Sequence, residues 1–292
     1  MMTPQIEKEM AQAEHEGAMP ILAHLRELHH RVMHAVYGAL VAIIVTLPFS
    51  KQIFDILVRP AAMAWEARKK MADSENTSGL GQLLWTDPTA TVDIRAVSQE
   101  LLMTGGPARG FMLYLKVGLG AALLLATPWI AWQIWRFVAP GLYHRERATI
   151  RPYGWFTTIA FIAGVSFAYF LVLPNGLFFF MGQGADHARM LWTIDEFFRF
   201  ELRLLLAFGI AFQLPLFMSL LARLGAVRAE AWRAARPVAV PVIFLLSAAL
   251  TPPDIVTQVA MGIPMTLLYE VGILWASRAE SKSDRAQQPQ EQ

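Results

Sequence analysis

Two long apolar runs flank a short basic stretch near the middle of the chain, and this arrangement constrains the fold more than any other feature. Residues 117–135 and 152–185 contain no Asp, Glu, Lys, Arg or His. Residues 136–151 between them read Arg-Phe-Val-Ala-Pro-Gly-Leu-Tyr-His-Arg-Glu-Arg-Ala-Thr-Ile-Arg. A helix crosses a hydrocarbon core of ~30 Å in about 20 apolar residues. The two runs are therefore predicted as membrane-spanning helices, with 136–151 as the loop between them. Short loops rich in Lys and Arg stay on the cytoplasmic side, which orients everything else. Inside the loop sits one carboxylate, Glu146, between Arg145 and Arg147.

Only 16% of the 292 residues are charged and 55% are hydrophobic. Soluble domains carry roughly 25% charged residues, and here the shortfall falls in blocks, as in a polytopic membrane protein. A net charge of +2 offers no electrostatic support for a nucleic-acid partner. With no cysteine, disulfides, thiolate chemistry and Cys-ligated metals are excluded. Zincin, serine-hydrolase and phosphate-loop signatures are all missing. His24, His29 and His30 have no acidic or thiol residues clustered with them, so they read as surface histidines and not as metal ligands. Neither an enzyme nor a bound cofactor or metal is expected.

In order, residues 1–20 read as a cytoplasmic tail without signal-peptide features, and 21–31 as an amphipathic helix on the membrane surface. Six spans follow, at about 32–49, 111–138, 153–173, 199–222, 238–250 and 255–276, making 21–276 the membrane domain. Residues 51–110 form a long extracytoplasmic loop with short helices on the membrane face. Pro174-Asn175-Gly176 is expected to stop span three. The second basic loop, 223–236, carries four arginines against Glu230 and agrees with the first. Residues 277–292 read as a disordered cytoplasmic tail. The fold class is all-α with six spans and both termini cytoplasmic. Spans five and six are short, a mismatch met by local bilayer thinning.

Several polar residues stand out against this background. Glu27 and Glu146 are carboxylates on the expected cytoplasmic face, flanked by apolar or aromatic residues. Each can neutralise neighbouring arginines, Arg26 and Arg31 in the first case, a surface pairing worth only ~0–1 kcal/mol. Alternatively both line one groove and accept guanidinium groups from a ligand, since arginine's planar fork binds a carboxylate through two parallel hydrogen bonds. Glu270 in span six is either functional or snorkels to the interface. Gln213 in span four precedes Pro215, and can satisfy backbone freed by that proline or bond another helix. Asp254 reads as the N-cap of span six, and Gln258 lies one turn on.

Taken together, an ordered set of motifs resembles the TatC family of twin-arginine translocases. The set comprises His24-Leu25-x-Glu27-Leu28, Phe137-x-x-Pro140-Gly141-Leu142-Tyr143-x-x-Glu146, Gly164-x-x-Phe167-x-Tyr169 and Phe208-Gly209-x-x-Phe212-x-x-Pro215. Arg236-Pro237, Thr251-Pro252-Pro253-Asp254-x-x-x-Gln258, Pro264 and Leu268-Tyr269-Glu270 complete it. The resemblance implies a cup-shaped receptor for twin-arginine signal peptides in the bacterial inner membrane, driven by the proton-motive force. In it Glu27, Phe137 and Glu146 would form the recognition site, supported by Arg31. Gln213, Asp254, Gln258 and Glu270 would serve insertion or partner contact. Implied partners are folded precursors, small single-span proteins of the TatA/TatB type, further copies of the chain in a receptor complex, and the bilayer. Three features depart from the family pattern. Gln213 stands where many members carry glutamate, His29 where an arginine is common, and residues 66–95 look inserted. The competing reading is a six-span secondary transporter of a small solute, a class marked by broken helices and paired mid-membrane charges.

Overall fold

The computed structural model describes the backbone of residues 21–73, 102–103, 107–138, 144–183, 192–250 and 255–287. Side chains are described for 25–66, 110–137, 154–180, 193–250, 255 and 258–281. The described residues are almost wholly helical. In chain order they form α1 (Ile21–Thr46), α2 (Ser50–Asp73), α3 (Pro107–Val138), α4 (His144–Phe167), a π-helical turn (Ala168–Val172) and α5 (Leu173–Gln183). Next come α6 (Ile194–Ala211), α7 (Leu214–Arg223), the short α8 (Ala229–Ala234), α9 (Arg236–Leu250) and α10 (Ile255–Gln287). One two-residue parallel pair, Leu102–Met103 with Trp192–Thr193, joins the segment before α3 to the segment before α6.

Five stretches are long and apolar enough to cross a membrane: Leu25–Thr46, Gly110–Phe137, Gly154–Phe180, Ile194–Arg223 and Gln258–Ser281. The chain is therefore a multi-pass membrane protein. The sixth expected span, Arg236–Leu250, is a shorter apolar helix of 15 residues. At 1.5 Å per residue it is ~22 Å long, short of a ~30 Å core.

Several boundaries differ from the sequence expectation. The surface helix and span one form a single continuous helix, α1. The basic loop is much reduced, because α3 runs through Arg136 to Val138 and α4 begins at His144. Only residues 139–143 separate the two, and these lie outside the described residues, as do 74–101. The expected short helices after span one begin with a longer one, α2, whose Val58, Ala61, Ala62 and Ala64 are buried against Leu113, Val117, Leu177 and Phe197.

Pro174-Asn175-Gly176 does not stop span three. Proline lacks an N–H, and its ring clashes with the carbonyl four residues back. The helix widens into the π turn just before it, then continues as α5. The Asn175 side chain donates to the Leu171 carbonyl at 2.6 Å, satisfying an acceptor that the wider turn loosens. α10 likewise runs on past Ser277, the expected end of the membrane segment, to Gln287. There Glu280 accepts from the backbone N–H of Ala229 at 3.1 Å.

The main core lies between α6, α7, α9 and α10, around Leu204, Phe208, Met218, Ile243, Met265 and Ile273. Helices α4 and α6 approach closely at two glycines. A Cβ on Gly164 would lie 2.5 Å from the Phe208 carbonyl oxygen, and one on Gly209 would lie 2.5 Å from Phe161. Small residues at membrane helix crossings allow such contact. α6 opens with a capping pair, in which the Glu196 N–H donates to Thr193 Oγ1 at 3.3 Å and that hydroxyl donates to the Glu196 carboxylate at 2.8 Å. After α7 the chain reverses at Gly225, whose φ of +69° suits glycine.

Candidate functional site

The candidate site is set by the antiparallel pair α1 and α3. Buried Thr46 donates its hydroxyl to the Gly118 carbonyl at 2.8 Å. Further along, the Trp129 indole N–H donates to the His34 carbonyl at 3.0 Å. These two bonds fix the register. From the Trp129–His34 contact, Glu27 lies two turns back along α1, about 10 Å at 1.5 Å per residue. Phe137 lies about 12 Å along α3 in the same direction. The register therefore brings Glu27 and Phe137 to the same end of the pair.

At that end Glu27 is already engaged. Arg31, one turn on, donates from Nε to a Glu27 carboxylate oxygen at 2.6 Å, and its terminal nitrogen contacts the same oxygen. The side chains keep 16% (Arg31) and 25% (Glu27) of their exposure, although the helix around them is largely open. A partly sheltered, charge-assisted pair is stronger than an open surface one. Arg31 orients Glu27 and leaves the second oxygen free of any bond among the described residues. Phe137 is half-buried.

The backbone of Glu146 falls in the first turn of α4, where a carboxylate suits the positive end of the helix dipole. Its side chain, and the motif residues Pro140 to Tyr143, lie outside the described residues. Trp135 reaches across from α3 to α4, its indole N–H donating to Thr157 Oγ1 at 2.6 Å. Glu146 lies about 16 Å nearer the start of α4 than Thr157, at the loop end of the α3–α4 hairpin.

The other sequence candidates are scattered. Gln213 occupies the turn between α6 and α7, and its amide donates to the carbonyls of Thr157 and Gly209, each at 3.2 Å. Its Oε1 is buried and accepts nothing among the described residues. Thr157 thus ties the turn to Trp135 through both its carbonyl and its hydroxyl. Gln258 donates to the Phe244 carbonyl at 3.0 Å, locking α10 to α9. Glu270 is paired with Arg236 at 2.6 Å across the same two helices. Asp254 lies outside the described residues.

In the sequence Gln213 stands out as the sole strongly polar side chain deep in the chain; the fold adds two more. Glu201 on α6 is fully buried, and neither carboxylate oxygen has a partner among the described residues. Gln133 on α3 is 2% exposed, and its Oε1 has no partner among the described residues. Periodicity could have found Glu201. It continues the stripe Phe197, Leu204, Leu205 and Phe208, which points it inward, whereas its place near a span end reads as outward.

Comparison with known proteins shows which family the chain resembles along most of its length. Residues 23–264 match the family model described as Sec-independent protein translocase protein (TatC). A relative from Desulforapulum autotrophicum, a Sec-independent protein translocase protein TatC, is 33% identical over 269 residues, covering 92% of this chain and 88% of its own. The similarly named Aquifex aeolicus protein is 29% identical, covering 92% and 99%. Among solved structures, the crystal structure of a twin-arginine translocase receptor, TatC, superposes with a TM-score of 0.69 at 29% identity, over 88% of this chain and 99% of that one.

Proposed function

The chain belongs to the TatC family of Sec-independent protein translocase proteins, and from that premise we propose that Glu27, Phe137 and Glu146 form its site for twin-arginine signal peptides. Its role is transport, as the receptor component of a protein translocase, and not catalysis. The observation that carries the site is the sheltered Glu27 carboxylate, aimed by Arg31 at the level where Phe137 ends α3. A guanidinium arriving there meets a fixed acceptor beside an apolar surface. Each charged hydrogen bond it makes is worth ~1.5–3 kcal/mol. Glu146 supplies the second carboxylate, so the two accept the two arginines of the peptide.

The wider reading follows from the same premise. Arg236–Leu250 is a sixth, thin span, which puts both termini in the cytoplasm. The arginines of 136–151 and 223–236 face the same side, and the membrane is the bacterial inner membrane. Small single-span proteins and further copies of the chain complete the complex, with Gln213, Asp254, Gln258 and Glu270 serving insertion or partner contact. The deciding experiment is crosslinking of a twin-arginine precursor at normal expression. Glu146→Ala is expected to abolish it. Unchanged crosslinking in the combined Glu27→Ala and Glu146→Ala variant rules the site out.

A further inference from the structure

A groove of about 630 Å³ opens between α4, α7 and α10, and Trp135 of α3 packs with its Leu216 and Ala160 in one apolar cluster. Its wall is apolar, with Ala163, Phe212, Leu216 and Leu268 among its residues, and it also carries Arg223 and Arg278. α7 and α10 run parallel here, since Gly272 packs on Pro215 and Met218 and, further along, Glu280 meets Ala229 just past the end of α7. Both arginines therefore close the same end of the groove. From Phe212 to Arg223, or from Leu268 to Arg278, the trench is ~15–16 Å long at 1.5 Å per residue.

That length selects the occupant. A transmembrane helix needs the full ~30 Å of the hydrocarbon core, whereas this groove is one leaflet deep. An acyl chain with its headgroup at the arginines fits the depth. The charge at the mouth is also unbalanced. Neither arginine has an ion pair among the described residues, and the described carboxylates of α10 are turned elsewhere, Glu270 to Arg236 and Glu280 to the Ala229 N–H. Both arginines are exposed at the lip, where a phosphate can reach them. Basic pockets between membrane helices are suited to anionic headgroups. We propose that this groove binds one anionic phospholipid, its phosphate between Arg223 and Arg278 and an acyl chain along the α4–α7–α10 wall. The site requires neither the signal-peptide reading nor a given orientation in the membrane.

The test uses the full chain, purified in detergent and stripped of lipid. It is titrated with palmitoyl-oleoyl-phosphatidylglycerol or the matching phosphatidylcholine, and bound lipid is counted by native mass spectrometry. The anionic lipid is expected to bind about thirtyfold more tightly, since each of the two arginines near an anionic headgroup adds roughly fivefold. Arg223→Gln with Arg278→Gln removes the preference. Arg223→Lys with Arg278→Lys keeps it, which also serves as the control for folding. Ala163→Trp, at an exposed position on the groove wall, displaces both lipids. Equal affinity for the two lipids overturns the proposal, as does a preference unchanged in the Gln pair. A peptide, in place of a lipid, captured by a photo-crosslinker at Leu216 overturns it too.

Discussion

The most consequential residues are polar atoms held away from water. Glu201 has two carboxylate oxygens buried without partners among the described residues, and a buried unpaired charge is strongly unfavourable. Glu201→Gln keeps the shape and removes the ionisable group. Its unfolding midpoint, by scanning fluorimetry in detergent, is expected at or above that of the native chain, with Glu201→Leu similar. A clear fall in both variants would reveal a partner for the carboxylate. Gln213 presents the opposite case. Its amide feeds two carbonyls, a task that an ionised carboxylate cannot perform. Gln213→Glu, the residue common elsewhere in the family, is expected to lower stability at neutral pH by ~1–3 kcal/mol, the penalty for leaving buried acceptors unmet. An unchanged midpoint would mean that water or another donor already serves those carbonyls. Gln213 was legible in the sequence as polar within an apolar span, and its partner Thr157 was not. That contact depends on how α4 crosses the turn between α6 and α7.

Among the elements, the α4–α6 crossing is a tight seam with a sequence signature. Gly164 and Gly209 each lack the room for a Cβ. Gly164→Leu is expected to destabilise by ~1–3 kcal/mol or more, as overpacking does. Gly176 in α5 meets nothing within 4 Å of a built Cβ, so Gly176→Ala is expected to be neutral or to stabilise by up to ~1 kcal/mol. Parallel thermal unfolding of the two variants checks both. The existence of the long helices was plain from uninterrupted apolar runs. Their ends were not, for two separate reasons. At Pro174 the rule that proline with glycine stops a helix gave way to a π turn that absorbs the ring. At 136–151 the arginines suggested a loop, yet the helices extend through them, since charged side chains at a helix end reach water without the backbone unwinding.

For the molecule as a whole, topology follows from the five long helices and the thin α9. The absence of cysteine makes introduced ones clean reporters. Ala11→Cys and Gln288→Cys are expected to label from one side of the membrane, and Ser78→Cys from the other, using an impermeant maleimide on vesicles of known orientation. Labelling of positions 11 and 288 from opposite faces would reduce the spans to five and remove α9 from the count. The candidate site was legible in part. Glu27 and Phe137 stand in recognisable motifs, with Arg31 one turn beyond the first, and the α1–α3 register brings them level. The asymmetry of support around them was not legible, because it depends on which helix faces stay bare.

That asymmetry has a mechanical consequence. Only 6% of Leu25–Thr46 is buried, and Val36, Leu40, Val41 and Ile44 point away from the protein. α1 is fastened chiefly along α3, through Thr46 with Gly118 and His34 with Trp129. A pull on Glu27, the proposed docking point, would therefore load one lever on one rail. That strain would pass down α3 before reaching the packed core of α6, α7 and α10.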